Sequence, residues 1–393
     1  MSIYDEALKL HEQHRGKLTV ESKVPCQNAY DLSLAYTPGV AEPCRQIHKN
    51  REDVYRYTGK GNTVAVITDG TAVLGLGDIG PEAGLPVMEG KALLMKRFAG
   101  LDAWPVCLDT KDPEKIIEFC KLMAPSIGAI NLEDISAPRC VTIERRLIEE
   151  LDIPVFHDDQ HGTAIVVLAA LINCMRLKKT DPADMKVVVS GCGAAGSSII
   201  RMLYKYGFTR IYAFDSKGCI AKKNYDRYTD LKRELLDYTN LDDQDYANIA
   251  EGLKGADIFI GVSSPGVVTK EMVETMNPGC MVFPMANPEP EVSYEDAKAA
   301  GAYIVGTGRS DYPNQVNNLL AFPGIFRGAL DCRATRISEN MKIAASKAIA
   351  SLVSDEELTP DHVIVSPFDE RVVPAVSKAV AEECIREGYV RKG

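Results

Sequence analysis

The chain has 393 residues, of which 46% are hydrophobic, so it can bury substantial cores in two or possibly three domains. Its formal net charge of -10 at pH 7 disfavours binding to nucleic-acid phosphates or anionic lipid. The first residues form neither a basic nor an apolar segment, and the longest apolar run, residues 164–175, is short for a membrane span. We therefore expect a cytoplasmic protein that binds neither nucleic acid nor membranes.

The 11 cysteines are scattered singly along the chain and never form a C-x-x-C pair. This spacing is not typical of a zinc site or of a disulfide framework. We interpret the cysteines as small buried apolar side chains in a reducing compartment.

Segments typical of strands and helices alternate through the first half of the chain. The predicted strands span residues 63–68, 104–108, 127–132 and 153–156. The predicted helices span residues 7–14, 85–98, 113–123, 141–151 and 164–175. This order indicates an α/β fold with a mainly parallel sheet covered by helices.

Acidic residues follow two of these predicted strands. Glu133 and Asp134 follow the strand at 127–132, and Asp158 and Asp159 follow the strand at 153–156. Because the carboxyl ends of parallel strands meet at one edge of a sheet, we expect these carboxylates to converge. Hard oxygen ligands predict a site for Mg²⁺ or Mn²⁺.

Two other interpretations of this region remain open. Glu133 and Asp134 are also typical of a helix N-cap that faces solvent. His157 and His161 suggest zinc, but histidines are more often packing or loop residues, and the sequence offers no matching cysteine pair or H-E-x-x-H helix.

Lys91 and Tyr36 are candidates for a general base and a general acid. Lys91 follows a glycine on a mostly apolar helix, where burial and neighbouring cations would lower its pKa. It could equally be a lysine whose ammonium reaches solvent. Tyr36 precedes a rigid Thr37-Pro38-Gly39 turn and could donate a proton, although most tyrosines are packing residues.

The second half begins with a motif typical of dinucleotide binding. The predicted strand 185–190 leads into Gly191-Cys192-Gly193-Ala194-Ala195-Gly196 and a predicted helix, 198–206. In this motif the glycines permit a tight turn, close approach of a pyrophosphate, and packing of the helix on the strand. The alternative is a tight turn without ligand.

Asp215 ends the next predicted strand, 210–215, where a carboxylate that binds the adenosine ribose is expected. It favours NAD because it repels a 2′-phosphate, whereas Ser216 and Lys217 would accept that phosphate. We expect NAD, with NADP possible.

Asparagines mark the remaining loops. Asn287 follows a predicted strand at 280–285, and Asn317 and Asn318 lie in a loop ahead of Phe322. Two helices predicted at 339–353 and 373–387 are interpreted as packing elements.

Several ordered motifs between about residue 36 and residue 326 resemble those of malic enzymes of the short bacterial type. They are Tyr36-Thr37-Pro38-Gly39-Val40, Gly75-Leu76-Gly77-Asp78-Ile79-Gly80, Glu89-Gly90-Lys91-Ala92, Asn131-Leu132-Glu133-Asp134, Phe156-His157-Asp158-Asp159-Gln160-His161-Gly162-Thr163-Ala164, Asn287-Pro288, and Asn317-Asn318 ahead of Phe322-Pro323-Gly324.

The resemblance implies oxidative decarboxylation of L-malate to pyruvate and CO₂, with reduction of NAD(P), by a homodimer. It implies that Tyr36 is the general acid and Lys91 the general base, with Asp158 orienting Lys91 or the metal shell. The implied ligands of Mg²⁺ or Mn²⁺ are Glu133, Asp134 and Asp159. The implied substrate contacts are Asn287, Asn317 and Asn318, and the implied cofactor contacts are Gly191, Gly193, Ala194, Ala195, Gly196, Asp215, Thr163 and Asn287.

It also implies two domains, a catalytic domain at residues 1–159 and a Rossmann-type NAD(P)-binding domain with C-terminal helices at 160–393. One departure concerns substrate recognition: Thr71-Ala72-Val73-Leu74 stands where longer members carry an arginine. Malolactic conversion of malate to lactate is an alternative on the same scaffold. A non-catalytic nucleotide-sensing protein is another, but the candidate acid, base and metal ligands are all present.

Overall fold

Two sheets form the framework of the protein in the computed structural model, which describes residues 2–73 and 75–391. The strands are β1 (Thr63–Thr68), β2 (Asp102–Cys107), β3 (Ala129–Leu132), β4 (Val155–His157), β5 (Lys186–Ser190), β6 (Arg210–Asp215), β7 (Gly218–Cys219), β8 (Ile258–Gly261), β9 (Met281–Pro284) and β10 (Ile304–Val305). The helices are α1 (Ile3–His14), α2 (Ala29–Ala35), α3 (Ala41–Lys49), α4 (Val54–Tyr57), α5 (Pro81–Ala99), α6 (Pro113–Met123), α7 (Arg139–Glu150), α8 (Asp158–Lys178), α9 (Ala194–Tyr206), α10 (Asp230–Leu235), α11 (Ile249–Leu253), α12 (Lys270–Glu274), α13 (Tyr294–Ala299), α14 (Phe322–Asp331), α15 (Glu339–Ser351) and α16 (Val372–Glu387).

The first sheet has the strand order β2-β1-β3-β4, and its strand pairs are parallel. Strands β1, β3 and β4 are buried along their whole length. Burial on both faces explains why they have continuous apolar sequences instead of alternating ones. The carboxyl ends of β3 and β4 therefore lie side by side, as the sequence predicted.

The second sheet has the strand order β10-β9-β8-β5-β6-β7. Its pairs are parallel except for the short antiparallel pair of β6 with β7. The chain enters this sheet at the central strand β5 and continues through β6 to the edge strand β7. It then returns to β8, on the other side of β5, and continues through β9 to the opposite edge at β10. The predicted α/β class with a Rossmann-type sheet is confirmed, and the order reverses between β5 and β8, where such sheets bind ligands.

The long helix α8 joins the two sheets and is the central packing element. It begins at Asp158, six residues before the predicted start, because His157 acts as its N-cap and accepts a hydrogen bond from the Gln160 backbone. By length and hydropathy the whole of α8 could cross a membrane, although the apolar run at residues 164–175 alone is too short to do so. However, 78% of its apolar window is buried inside the protein, as in a core helix.

The C-terminal helices pack around this core, as predicted. At Gly324 and Gly328 of α14 an added Cβ would lie 2.6 Å from Val376 and 2.4 Å from the Ser377 carbonyl oxygen, so α14 and α16 are in close contact. All 11 cysteines are free thiols, and seven are buried. Cys26 and Cys44 are exposed, which corrects the interpretation of every cysteine as a buried side chain.

The first three helices of the chain contain no buried residue. This holds for α1, α2 and α3, which we call the N-terminal segment. Its large exposed apolar side chains include Ile3, Leu8, Tyr30 and Leu34. In a single chain this segment therefore leaves much apolar surface in water.

Candidate functional site

The predicted carboxylate cluster forms at the edge of the first sheet. Glu133 and Asp134 follow β3, whereas Asp159 lies in the first turn of α8, and one oxygen from each lies within 4.8 Å of the others. The Asp134 backbone N–H donates to Asp159 Oδ2 at 2.8 Å. Neither Glu133 nor Asp134 caps a helix, since α7 begins at Arg139 with Pro138 as its N-cap. The N-cap interpretation of these residues is therefore wrong.

The cluster has the chemistry of a site for a hard divalent cation. Burial raises the pKa of Glu133 to about 7, and partial burial together with the neighbouring Asp158 carboxylate raises the pKa of Asp159, whose side chain is 36% exposed, to about 6. A bound cation would offset the cost of charging these carboxylates, and the all-oxygen donor set suits Mg²⁺ or Mn²⁺.

Zinc ligation by His161 does not fit the geometry. Both ring nitrogens of His161 are engaged, Nε2 with Glu144 at 2.9 Å and Nδ1 with Ser198 at 2.9 Å. His157 uses Nδ1 as the helix cap, whereas its Nε2 has no hydrogen-bond partner among the described residues and lies 3.8 Å from Asp159 Oδ2. The three carboxylates that converge beside His157 still suit a hard cation better than zinc.

Lys91 is buried at the same cluster, with only 7% of its surface exposed. Its Nζ lies 2.6 Å from Asp158 Oδ2 and 2.8 Å from Glu133 Oε1, and it sits 4.2 Å from the centre of the Phe322 ring. The alternative of a lysine reaching solvent is wrong.

The expected environment of Lys91 was also wrong. From its sequence context, neighbouring cations were expected to lower the pKa of Lys91, but its charged neighbours are the carboxylates of Asp158 and Glu133. Burial disfavours the ammonium form, yet Asp158 and Glu133 outweigh this effect and hold the pKa of Lys91 above its ordinary value. In the absence of a cation Lys91 is thus an ammonium paired with two acids.

Asp158 connects Lys91 to the loop before α14. It is fully buried, and its Oδ2 accepts hydrogen bonds from Lys91 Nζ and from Asn318 Nδ2. Its other oxygen, Oδ1, has no hydrogen-bond partner among the described residues. A Cβ at Gly162 would lie 2.1 Å from that oxygen, so only glycine fits beside it.

Other predicted site residues lie apart from this cluster. Tyr36 ends α2 with 66% of its surface exposed. Asn317 caps a short helical turn by accepting from the Leu319 backbone N–H at 2.9 Å, and Asn287 Nδ2 donates to the Met285 carbonyl oxygen at 3.5 Å. Thr163 is half-buried in α8. Within the described part of one chain, Asn318 is the predicted asparagine that contacts the Lys91 cluster.

The glycine-rich turn borders a cavity of about 740 Å³ at the carboxyl edge of the second sheet. Gly191 has φ 105°, and a Cβ there would lie 2.4 Å from the Val262 carbonyl oxygen. At Gly196 a Cβ would lie 1.9 Å from the Gly191 carbonyl oxygen, whereas at Gly193 nothing lies within 4 Å. The first and third glycines thus permit close packing, and the second leaves open space for a ligand.

The helix after this turn, α9, begins at Ala194, four residues before its predicted start, so Ala194 and Ala195 lie in its first turn. Its unpaired backbone N–H groups face the region where a pyrophosphate is expected. Ala137 and Pro138 of the first half also line the cavity, which therefore lies between the two halves of the chain.

A buried polar network behind the site was missed by the sequence analysis. Glu144 Oε1 accepts from the His157 backbone N–H at 2.9 Å, and Glu144 Oε2 contacts His161 Nε2 at 2.9 Å. Lys342 Nζ contacts His161 Nδ1 at 3.1 Å. Because an ammonium can only donate, Nδ1 is the acceptor and Nε2–H donates to Glu144. Glu144 thereby fixes the segment that presents Asp158.

The stretch at residues 71–74, where longer members of the resembled family carry an arginine, is hydrogen-bonded to the same site. The Ala72 backbone N–H donates to the Asp134 carbonyl oxygen at 3.0 Å, and its methyl group cannot bind a carboxylate. Leu74, the last residue of that substituted stretch, lies outside the described residues.

Two family models match the chain: the malic enzyme N-terminal domain over residues 15–148 and the malic enzyme NAD binding domain over residues 160–389. A bifunctional malic/malolactic enzyme from Bacillus subtilis is 58% identical over 391 residues, which cover 100% of this chain and 95% of that protein. An NAD-dependent malic enzyme from Geobacillus stearothermophilus is 52% identical over 380 residues, which cover 96% of this chain and 78% of that protein.

A solved structure supports the same assignment. The malic enzyme from Pyrococcus horikoshii superimposes with a TM-score of 0.94 at 47% identity, covering 100% of this chain and 93% of that chain. The resemblance expected from the motifs is confirmed along the whole chain. The chain therefore belongs to the malic enzyme family.

Proposed function

We propose that this chain oxidises and decarboxylates L-malate to pyruvate and CO₂, reduces NAD(P), and depends on Mg²⁺ or Mn²⁺. The observation that supports this most is the buried contact of Lys91 with Asp158 and Glu133, at the cluster in which Glu133 converges with Asp134 and Asp159. A buried amine next to a metal-binding cluster suits proton removal from a hydroxyl group that the same cluster holds.

Each catalytic residue has a distinct proposed role. Lys91 Nζ accepts the proton of the C2 hydroxyl, and Asp158 keeps the amine in place. Glu133, Asp134 and Asp159 hold the cation. When Glu133 binds a cation its hold on Lys91 weakens, which favours the neutral amine that a base requires.

The cofactors supply what side chains cannot. A divalent cation at the cluster supplies positive charge that stabilises negative charge developing on the substrate oxygen. The dinucleotide supplies the hydride acceptor, and we propose NAD as the preferred form, bound by Gly191, Gly193, Gly196 and Asp215. Thr163, Asn287 and the first turn of α9, with Ala194 and Ala195, complete that surface.

The remaining steps concern the substrate. Asn318, Asn317 and Asn287 hold its polar groups, and the Asn318 contact with Asp158 supports that position for Asn318. Tyr36 delivers a proton to C3 after CO₂ leaves. The exposed phenol must become buried for this, because a proton donor in open water gives little advantage over water itself.

Covering of the N-terminal segment would achieve this burial. We propose a homodimer, in which a second copy covers the apolar side chains of α1 to α3 that a single chain leaves exposed.

We also propose that residues 1–159 form the catalytic domain and residues 160–393 the dinucleotide domain. The acidic charge and the free thiols support a place in the cytoplasm.

Malolactic conversion is the second candidate, favoured by the name of the Bacillus subtilis relative. The two functions differ in the fate of the reducing equivalents. Incubation of the protein with L-malate, NAD and Mn²⁺ should accumulate NADH together with pyruvate. Lactate formation without accumulation of NADH would reject the first function in favour of the second.

A further inference from the structure

Glu291 is a fully buried residue in the loop between β9 and α13, and the proposed function gives it no role. Its Oε1 accepts from the Ser263 backbone N–H at 2.6 Å and from the Ser263 hydroxyl at 3.1 Å. Its Oε2 accepts from the Ala286 backbone N–H at 3.0 Å. Because Ser263 follows β8 and Ala286 follows β9, one side chain ties together the loops after two neighbouring strands.

The Ser263 hydroxyl extends these contacts to a third strand. Its oxygen lies 2.8 Å from the hydroxyl oxygen of Ser190, the last residue of β5. A carboxylate can only accept, so the Ser263 proton points to Glu291 and Ser190 donates to Ser263. These hydrogen bonds span the adjacent strands β5, β8 and β9. We name the connected residues the Glu291 bridge: Ser190, Ser263, Glu291 and Ala286.

The surrounding backbone is shaped to hold the Glu291 side chain. Gly261 ends β8, and a Cβ there would lie 2.3 Å from Glu291 Cδ, so only glycine fits beside it. The Glu291 carbonyl oxygen also accepts from the Val268 backbone N–H at 3.1 Å. Side chain and backbone of Glu291 therefore fix the loop after β8 against the loop after β9 at two points.

The Glu291 bridge connects the dinucleotide cavity to the loop that carries Asn287. Ser190 and Ser263 line that cavity, whereas Glu291 lines a separate cavity of about 600 Å³. A Cβ at Gly75 would lie 3.0 Å from the Asn287 carbonyl oxygen, so the loop after β9 reaches the first half of the chain. The bridge therefore sets the distance between the cavity and a loop that contacts the catalytic half.

We propose that Glu291 is a positioning residue for hydride transfer, which holds the Asn287 loop at a fixed distance from the glycine-rich turn. The dinucleotide at that turn and the malate beside Asn287 then meet in one geometry. Hydride transfer is sensitive to this geometry, because a misplacement of about 1 Å can slow a reaction about 100-fold. The inference rests on the proposed function in that malate passes a hydride to the dinucleotide.

Glu291→Gln tests this role in the complete protein. Glutamine keeps the size of the side chain, but its amide nitrogen cannot accept, so one of the two loops loses its hydrogen bond. We expect kcat for malate oxidation to fall roughly tenfold to 100-fold, whereas KM for malate and the affinity for NADH should stay within about threefold of wild type. Glu289→Gln is the matched control on the same loop, since Glu289 is exposed, and it should keep wild-type values.

Single-turnover formation of NADH separates positioning from loss of folded protein. Misalignment in Glu291→Gln should lower the rate constant about tenfold or more at full amplitude, and deuterium at C2 of malate should lower it further because the step is hydride transfer. Partial unfolding would instead lower the amplitude and leave the rate constant unchanged. Ser263→Ala removes only the hydroxyl contacts of the bridge, so its rate constant should fall less, about threefold.

The outcomes separate the inference from the proposed function. A wild type that shows no NADH from malate, even transiently, would reject both. Transient NADH followed by lactate would reject only oxidative decarboxylation, and the rate constant would still test Glu291. A wild-type rate constant in Glu291→Gln, or a loss of NADH affinity as large as the loss of rate, would overturn the role of Glu291. If Glu291→Gln does not fold, the same criteria apply to Ser263→Ala.

Discussion

At the scale of single residues, Lys91 is unusual because a buried ammonium faces two buried acids. Removing one partner from such a group leaves the others uncompensated, so these side chains depend on one another. A cation bound at Glu133 would therefore also change the protonation of Lys91. Catalysis and metal binding should therefore respond together to changes here.

Replacement of Lys91 tests its role as the base. Lys91→Ala should lower kcat by about 100-fold or more, the usual contribution of a general base, and leave NADH binding intact. Lys96→Ala is the control, since Lys96 lies on the same helix but pairs at the surface with Asp102. Turnover of Lys91→Ala close to that of the control would reject the assignment.

Removal of a carboxylate tests the metal site. Asp159→Ala should abolish tight Mn²⁺ binding, measured by titration calorimetry, because one of three converging ligands is lost. Asp112→Ala, at the exposed start of α6, should bind Mn²⁺ like the wild type. Unchanged binding in Asp159→Ala would remove this residue from the metal shell.

Protons should compete with the cation at the same carboxylates. The pKa of Glu133 is raised to about 7 by burial, and that of Asp159 to about 6 by partial burial and the Asp158 carboxylate, so both bind protons below neutrality in the metal-free protein. The apparent Mn²⁺ affinity should therefore rise between about pH 5.5 and about pH 7.5, by up to about tenfold per pH unit for each proton displaced. An affinity independent of pH over that interval would contradict the shifted pKa values.

The environment of Lys91 also marks the limit of prediction from sequence. The convergence of the carboxylates at 133, 134, 158 and 159 was predictable because they lie just beyond two apolar strands of a parallel sheet, which is a local pattern. The contact of Lys91 with Asp158 was expected only from the family resemblance, because Asp158 lies 67 residues away along the chain and only the fold brings it close. Only the fold also brings together Lys342 and His161, which are separated by 181 residues.

At the scale of elements, two junctions between strands and helices build the sites. The β4 to α8 junction presents Asp158 and Asp159 in the first turn of a helix, where the helix dipole favours negative charge. The β5 to α9 junction presents no charged side chain, and its glycines and backbone N–H groups favour a phosphate. The predicted starts of α8 and α9 lie several residues too far along the chain, because the first turns of both helices lack apolar periodicity.

The glycine-rich junction gives a prediction that separates packing from ligand binding. Gly196→Ala should lower the melting temperature, because its Cβ would lie 1.9 Å from the Gly191 carbonyl oxygen. Gly193→Ala should melt like the wild type, since nothing lies within 4 Å of its Cβ, but should bind NADH more weakly because the methyl group enters the ligand space. Equal melting temperatures for the two variants would contradict this account of the turn.

At the scale of the whole molecule, the N-terminal segment carries exposed apolar side chains that have no packing partner within the described part of a single chain to bury them. Its helices bury no residues, and it carries Tyr36, the proposed proton donor. Sequence patterns could not reveal this, because an amphipathic helix looks the same whether it packs on its own core or on a partner.

Light scattering after size exclusion tests the proposed dimer. Leu34→Asp places a charge on α2, where the leucine is 60% exposed in the single chain, and should shift the mass toward that of a monomer. Leu122→Asp, at a leucine 75% exposed on α6, should leave the mass at that of a dimer. A monomeric wild type, or a Leu34→Asp variant that remains dimeric, would contradict this surface as the interface.

The most direct test of the central claim follows the C4 carboxylate of malate. The protein is supplied with L-malate labelled with ¹³C at C4, together with NAD and Mn²⁺, and the label and NADH are measured in parallel. The proposed function predicts labelled CO₂ and NADH in equal amounts, with unlabelled pyruvate, and loss of both products in Lys91→Ala. Retention of the label in an organic product, or release of CO₂ that does not depend on Lys91, would contradict it.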